Sequence, residues 1–238
     1  MDISALENSK DGIFEIYEEI KTRIVSRKYL ANTKLNQNQI AKELGVSRTP
    51  VIKALHMLKS QGLVDNTHNK GFYVHNVSLQ DTVEIYKIRQ AFEMIAVADV
   101  IANATSEEIA ALADFFEPFR EQQTIDWNEY AENDRIFHSR LIELSGNRIL
   151  QRTNQSVLIL PKAFAVGLLR SPKDTLQEHF DLINALANRD VETAQNVARK
   201  HLQLSITPLS LTIAGLRKIG VDPQKIPIDD IAIDSINR

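Results

Sequence analysis

The tetrapeptide Leu44-Gly45-Val46-Ser47 constrains the chain more than any other feature, because it is a tight turn between two helical patterns. Ahead of it, Asn36 reads as an N-cap with Gln39 as its capping-box partner. The short helix that follows carries Ile40, Ala41 and Leu44, and Gly45 ends it. Beyond the turn, Ser47 reads as the next N-cap. Pro50 sits in the first turn, where its missing N–H costs little, and Val51, Leu55 and Leu58 mark a buried stripe. Upstream, Ile13, Ile16, Tyr17, Ile20, Ile24 and Val25 recur at helical spacing within Ile13 to Tyr29. Downstream, Leu63-Val64-Asp65 and Phe72-Tyr73-Val74 read as strands around a polar, turn-rich stretch from Asn66 to Gly71. Helix, short helix, tight turn, helix and hairpin make a winged helix-turn-helix.

If the stripe of the third helix packs inward, Arg48, Thr49, Lys53, His56 and Ser60 are left on its other faces. Ser47, Arg48 and Thr49 at the helix start can place donors against phosphates and base edges of a major groove. The plainer reading is a solvated face on an ordinary helical module. Charge favours the first. Residues 1–76 hold eleven basic and eight acidic side chains, a net of +3, whereas the remaining seventeen basic and twenty-three acidic ones sum to −6. A small basic module joined to a larger acidic one suggests that only the first meets a polyanion.

From Ser78 onward helix signals recur without a strand pattern. Ser78 with Asp81 and Thr105 with Glu108 read as capping boxes, Gly146 as a helix end, and Asn147, Ser171-Pro172 and Asp190 as starts. They predict helices near 79–103, 106–122, 126–145, 148–170, 172–188 and 191–206, with a kink at Pro161, packed as an all-helical bundle. The expected division is therefore residues 10–76, residues 79–206 and an extension over 207–238. In the extension, Pro208, Pro223 and Pro227 discourage one continuous helix, and the apolar stretch from Ile226 to Ile233 reads as a docking segment or a loose tail. The fold class is mainly α, with a short β-hairpin wing.

The chemistry lies in the histidines. His138, His179 and His201 each fall on a separate predicted helix beside apolar residues, and Asp134 precedes His138 by one helical turn. Three imidazoles and a carboxylate are able to hold a divalent ion such as zinc, nickel or manganese in a bundle core. The alternative is three part-buried histidines that hydrogen-bond carboxylates. Cysteine is absent, which excludes disulfides, thiolate sites and cysteine nucleophiles and suits a cytoplasmic protein. No apolar run approaches the roughly 18 residues of a membrane span, and the polar, acidic first residues do not resemble a secretory signal.

The run Gln39-Ile40-Ala41-Lys42-Glu43-Leu44-Gly45-Val46-Ser47-Arg48-Thr49-Pro50-Val51, with Ala54-Leu55 and Leu58, resembles the signature of GntR-family bacterial transcription regulators. Gly62-Leu63-Val64 and Lys70-Gly71-Phe72-Tyr73-Val74 are similar to that family's wing. The resemblance implies binding to an operator in double-stranded DNA through Ser47, Arg48, Thr49, Lys53 and His56, with His68, Lys70 and Gly71 from the wing. Two departures stand out. Ile52-Lys53 replaces a frequent Arg-Glu, removing an arginine that commonly touches bases, and Ala31-Asn32 replaces a frequent Pro-Gly, so that loop is expected to be less constrained.

Asp134-Arg135-Ile136-Phe137-His138, Glu178-His179 and the stretch from Asp190 to His201-Leu202 resemble the FCD effector domain of the FadR-type subfamily. The resemblance implies a metal held by Asp134, His138, His179 and His201, and a small carboxylate effector. Ile88-Arg89-Gln90-Ala91-Phe92-Glu93 is similar to the domain's first helix, where an arginine often faces the ligand, so Arg89 is a candidate effector contact and Arg170 a weaker one. An intrahelical pair of Arg89 with Glu93 is the competing reading. The implied protein is a homodimer on an inverted repeat, by default a repressor. A regulator that senses the metal itself, or a metal-dependent hydrolase, are the alternatives. Against the hydrolase, no spare general base stands out near the histidines.

Overall fold

The computed structural model describes residues 10–67, 71–157, 162–163 and 166–231. The chain divides into two compact units, Met1–Val77 and Ser78–Arg238. The first holds α1 (Lys10–Val25), α2 (Gln37–Leu44), α3 (Arg48–Ser60), β1 (Val64–Thr67) and β2 (Gly71–Val74). The expected Pro161 kink and the wing residues His68 and Lys70 lie outside the described residues.

In the first unit Ile16, Ile20 and Ile24 of α1 are buried with Val51, Leu55 and Leu58 of α3. The first helix ends at Val25, not near Tyr29, because Arg27 takes a left-handed φ of 58° and turns the chain back. Arg23 holds that turn: it donates to Tyr29 Oη at 2.8 Å, to Glu19 at 2.7 Å and to Glu43 of α2 at 2.6 Å. Asn36 caps α2 by accepting from the amides of Asn38 and Gln39. The box is not reciprocal, since the Gln39 amide donates forward to Glu43. Gly45 closes α2 at a φ of 67°, a conformation costly for a residue with a Cβ. Ser47 stands at the N-cap of α3 without a side-chain capping bond.

The hairpin is antiparallel, with Val64 opposite Val74 and Thr67 opposite Gly71, one residue later at its first strand than the apolar pattern predicts. The 31–32 loop is pinned, contrary to expectation. Asn32 adopts the left-handed φ of 63° open to asparagine, and its amide donates to Val74 C=O at 3.1 Å. The next residues continue this pairing through Val74 N to Thr33 O and Leu35 N to Phe72 O, both 2.9 Å.

The elements described in the second unit are helices: α4 (Leu79–Asn103), α5 (Ser106–Ala110), α6 (Trp127–Leu144), α7 (Arg148–Val157), α8 (Pro172–Ala187) and α9 (Val191–Lys218), with short 3-10 turns between and after them. Ser78, Thr105, Asp126, Ser171 and Asp190 cap α4, α5, α6, α8 and α9 through their side chains. Phe116, Phe119, Tyr130, Phe137, Leu141 and Leu186 are fully enclosed in its core.

Three expectations need correction. The single helix over 106–122 is a short α5 followed by 3-10 turns at Ala111–Phe115 and Glu117–Phe119, because Pro118 has no N–H for an α-helical ladder. The helix expected over 148–170 is described to Val157 and again as helical at Lys162, Ala163 and Val166, but Gly167 to Arg170 are non-helical ahead of α8, with Gly167 at a φ of 88°. The last helix does not stop near residue 206; it passes through Pro208 to Lys218. A proline inside a helix costs about 3 kcal/mol, and burial of Ile206, Leu209 and Ile213 at three- and four-residue spacing offsets it. After α9 the chain returns to the start of α4. Ile226 C=O accepts from Leu79 N at 2.8 Å, and Ser78 pairs with Pro227 as an isolated antiparallel bridge.

Candidate metal centre and DNA-recognition helix

Asp134 and His138 project from one face of α6, His179 from α8 and His201 from α9. All four are buried, and one ligand atom from each lies within 4.8 Å of every other. Asp134 Oδ1 is 3.2 Å from His179 Nε2 and 3.5 Å from His138 Nε2, and the two Nε2 atoms are 3.4 Å apart. Neighbouring donors on one ion, each about 2.0–2.2 Å from it, stand about 3–3.4 Å from each other, so this spacing fits a divalent cation.

Each imidazole is oriented by a partner on its other nitrogen. His138 Nδ1 lies 2.9 Å from Glu93 Oε2 of α4, and His201 Nδ1 lies 2.8 Å from Glu178 Oε2 of α8. His179 Nδ1 meets Tyr130 Oη at 2.9 Å, Tyr130 Oη meets Thr175 Oγ1 at 2.9 Å, and Thr175 Oγ1 reaches Ser171 C=O at 3.2 Å. A carbonyl only accepts, so the Thr175 hydroxyl donates to it, Tyr130 donates to Thr175, and His179 Nδ1–H donates to Tyr130. The two carboxylates likewise call for a hydrogen on the facing Nδ1. In the neutral rings the lone pairs are then on Nε2, which is the ligand form.

The surroundings of His179 suit that form. Burial drives His179 down to about 3, with Asp134 opposing, so its ring stays neutral. Burial works against charge on Asp134, but His138 and His179 outweigh it and hold the carboxyl well below its usual range. Burial also opposes charge on Glu93, where His138 and Arg89 outweigh it and keep the group near 2. Glu178 is also kept near 2: burial opposes its charge, and hydrogen bonds from His201 and Arg170 outweigh that. For His138, Glu93 overrides burial and raises the pKa. Burial first raises Tyr130, so its phenol keeps its proton.

Both candidate effector arginines contact glutamates. Arg89, 3% exposed, donates from Nε to Glu93 Oε1 at 2.6 Å, the intrahelical pair weighed from the sequence, and its guanidinium lies 5.4 Å from the Tyr86 ring centroid. Arg170 forms a bidentate pair with Glu178 at 2.7 and 2.9 Å. Sequence reasoning assigned no role to Glu93, Glu178, Tyr130 or Thr175 at the centre. Helical spacing holds a signal for two of them: Tyr130 stands one turn before Asp134 and Thr175 one turn before His179.

In the first unit Ser47, Arg48, Thr49, Lys53 and His56 are all exposed, on or just ahead of α3. Arg48 donates from Nε and Nη2 to Gln37 Oε1 of α2 at 3.0 and 2.6 Å, so a residue outside the recognition helix sets its direction. His56 packs edge-on against Phe72 of β2, ring centroids 5.0 Å apart. Gly71 opens β2 at a φ of 97°.

A winged helix-turn-helix with an exposed recognition helix, carried with a separate helical bundle, defines a DNA-binding transcription regulator. The pattern of bacterial regulatory proteins of the gntR family matches residues 14–74, and that of the FCD domain matches residues 84–204. The chain is 30% identical over 179 residues to the Nta operon transcriptional regulator of Aminobacter aminovorans, covering 75% of this chain and 85% of that one. It is 28% identical over 208 residues to the uncharacterized HTH-type transcriptional regulator YdhC of Bacillus subtilis, covering 84% and 92%. A crystal structure of a putative GntR regulator from Rhodococcus sp. RHA1 superposes with a TM-score of 0.72 at 21% identity, over 84% of this chain and 98% of that one. The protein belongs to the GntR family of bacterial transcription regulators and carries an FCD domain. Its relatives are regulators, not enzymes. No helix among the described residues is long and apolar enough to cross a membrane.

Proposed function

We propose that this regulator is a metal-containing repressor released from DNA by a small carboxylate. Residues 10–76 bind the operator, residues 79–206 hold the metal and the effector, and two copies act on an inverted repeat, since a two-fold protein matches a palindromic site. The observation that carries the metal reading is the convergence of Asp134 Oδ1 with ring nitrogens of His138, His179 and His201. Their outward-facing nitrogens are engaged by Glu93, Tyr130 and Glu178, so lone pairs meet in one buried place, an arrangement stabilised by a cation. Zinc, nickel and manganese all accept such ligands, and the ion supplies positive charge and open coordination positions.

Charge favours an anionic effector. With neutral imidazoles, the cluster combines Arg89 and Arg170 with Glu93, Asp134 and Glu178, a net of −1. A divalent ion turns this to +1 inside a protein interior, which a carboxylate offsets. Arg89 is the chain's candidate second contact for that carboxylate, by the planar match of guanidinium and carboxylate. The test is a thermal-shift screen of organic and sugar acids on the metal-loaded protein, repeated with metal removed and with Arg89→Ala. The reading expects a stabilising acid whose effect shrinks in both controls and which lowers operator affinity. An acid that stabilises all three forms equally overturns it. Metal retained through dialysis favours a structural or ligand-positioning ion over a metal sensor.

A further inference from the structure

We infer that Arg170 is a positioning residue for the metal ligand His201, acting through Glu178, and not a contact for the effector. The inference rests on the metal reading above and names what sets one of its ligands.

Arg170 lies in the non-helical stretch ahead of α8, Glu178 on α8 and His201 on α9. Its two Nη atoms meet the two oxygens of Glu178 at 2.7 and 2.9 Å, the fork geometry that fixes a carboxylate in plane as well as in place. Nη1 also points at His201 C=O, 3.5 Å away, and Nη2 at Asp174 C=O, 3.4 Å away. A guanidinium has four hydrogens on its two Nη atoms, and these four acceptors match them. The fork is thus fully used inside the protein, which leaves it poorly placed to receive a second carboxylate.

Glu178 Oε2 is shared: it accepts from Arg170 Nη1 and faces His201 Nδ1 at 2.8 Å. An ionised carboxylate only accepts, so the His201 hydrogen stays on Nδ1 and its lone pair on Nε2. The side chains of Arg170 and Glu178 are only 11% and 18% exposed, so water competes little for either. Arg89, Glu93 and His138 repeat the order arginine, glutamate, imidazole, with 2.6 Å from Arg89 Nε to Glu93 Oε1 and 2.9 Å between Glu93 and His138. Of the two relays, that of Arg170 begins outside any helix. The stretch from Gly167 to Ser171 is therefore tied to the ligand on α9 by one ion pair.

The experiment uses zinc alone and the full chain. Zinc affinity is measured by competition with a chromogenic chelator for the wild type, Arg170→Ala, Arg170→Lys, Glu178→Gln and, as a control, the exposed Arg199→Ala. Loss of a hydrogen-bond partner of a metal-bound histidine typically costs about 10–100-fold in affinity. Glu178→Gln is expected in that range and Arg170→Ala about tenfold weaker than wild type. Arg170→Lys falls between wild type and Arg170→Ala, because a point charge does not span both oxygens, and Arg199→Ala is unchanged. In the metal-free protein, nitrogen NMR of His201 should show the Nδ1–H tautomer alone in the wild type and a mixture in Arg170→Ala.

Wild-type zinc affinity and a single tautomer in Arg170→Ala overturn the inference, even if its melting temperature falls, since a packing residue behaves that way. Loss of acid binding with unchanged zinc affinity also overturns it and returns Arg170 to the effector. If Arg170→Ala does not fold, wild-type affinity in both Arg170→Lys and Glu178→Gln does the same. If the wild type takes up no zinc, the metal reading fails, while the tautomer measurement still decides whether Arg170 sets His201.

Discussion

Phe116 and His179 lie ring on ring, their centroids 4.1 Å apart and their planes 6° from parallel. Phe116 comes from the irregular stretch after α5, and His179 from the second turn of α8. The phenyl face covers the imidazole and keeps water from it, while Phe137 meets the same ring edge-on at 5.2 Å. Removing the cover should both open a cavity and rehydrate the imidazole. Phe116→Ala is expected to cost about 3–5 kcal/mol in urea unfolding. In the metal-free protein the His179 pKa should rise from about 3 toward its ordinary value, read by NMR titration. An unmoved pKa would show that the stack does not set it.

Metal content and stability should move together. Purified protein is expected to carry about one divalent ion per chain by elemental analysis, in line with a single ligand set. An ion present at about a hundred times its Kd stabilises the fold by about 2.7 kcal/mol. His179→Ala and Asp134→Asn should each lower metal content and melting temperature, and a chelator should lower the wild-type temperature. A metal-free preparation whose melting ignores the chelator would mean that the histidines are core hydrogen-bonders.

Acid should destabilise the metal-free second unit. Glu93, Asp134 and Glu178 are all held below their ordinary values, so between about pH 4.5 and 2 the unfolded chain binds protons that the folded one refuses. Their stabilisation is complete above the unfolded pKa and lost as pH falls through this window. His179, depressed to about 3, adds loss in the same direction starting from about pH 6.5. His138, raised by Glu93, acts oppositely: its contribution is present below about 6.5 and fades as pH rises. Chemical denaturation should therefore show stability falling steeply below about pH 4.5, with Glu178→Gln flattening that limb.

How far the fold was legible depended on whether local signals were complete. Caps at Ser78, Thr105, Ser171 and Asp190 mark helix starts unambiguously, since one side chain satisfies the orphan amides. Helix ends were less legible. Pro208 reads as a stop, yet the buried stripe of Ile206, Leu209 and Ile213 carries α9 past it, and only tertiary packing reveals that. In the site, Asp134 and His138 are visible as an i, i+4 pair. The convergence of His179 and His201 on them, from two other helices, was one of two readings that the helix pattern left open, and the family resemblance favoured it. Glu93 and Glu178 were hidden for another reason: each also pairs with an arginine, and such pairs are common on helix surfaces without function.

The chain's return to α4 makes a separate prediction. Leu79 N is one of the first-turn amides of α4 that has no partner within its own helix, and Ile226 C=O accepts from it at 2.8 Å. Arg217 donates to Gln80 at 3.0 Å, and Pro223 and Ile228 are buried. The last segment thus caps and covers the start of the helix that follows the wing. Ile228→Ala should cost about 2–5 kcal/mol. A chain ending at Lys218 should exchange the amides of Leu79 to Asp81 faster by hydrogen exchange, while those near Phe137 keep their protection. Equal protection at both places would show that the segment does not hold α4.

The candidate DNA contacts Arg48 and Lys53 are both exposed on α3. Arg48→Ala and Lys53→Ala should each weaken operator binding, and the salt dependence separates two roles. A side chain that meets only phosphate releases counterions, so its loss lowers the slope of log K against log salt by about one unit and affects all sequences alike. A side chain that reads a base leaves the slope nearly unchanged and lowers discrimination at one position by about 1–3 kcal/mol. Gln37 adds a graded test, because its carbonyl accepts both Arg48 contacts, at 3.0 and 2.6 Å, and holds the guanidinium in one direction before DNA arrives. Gln37→Ala keeps the charge and frees the side chain, so it should cost less than Arg48→Ala and leave the salt slope near that of wild type. Ile52, half-buried beside them, offers no hydrogen bond, and Ile52→Arg is expected to tighten binding and steepen the slope. If Arg48→Ala and Lys53→Ala both bind the operator as the wild type does at moderate salt, α3 is not the recognition helix.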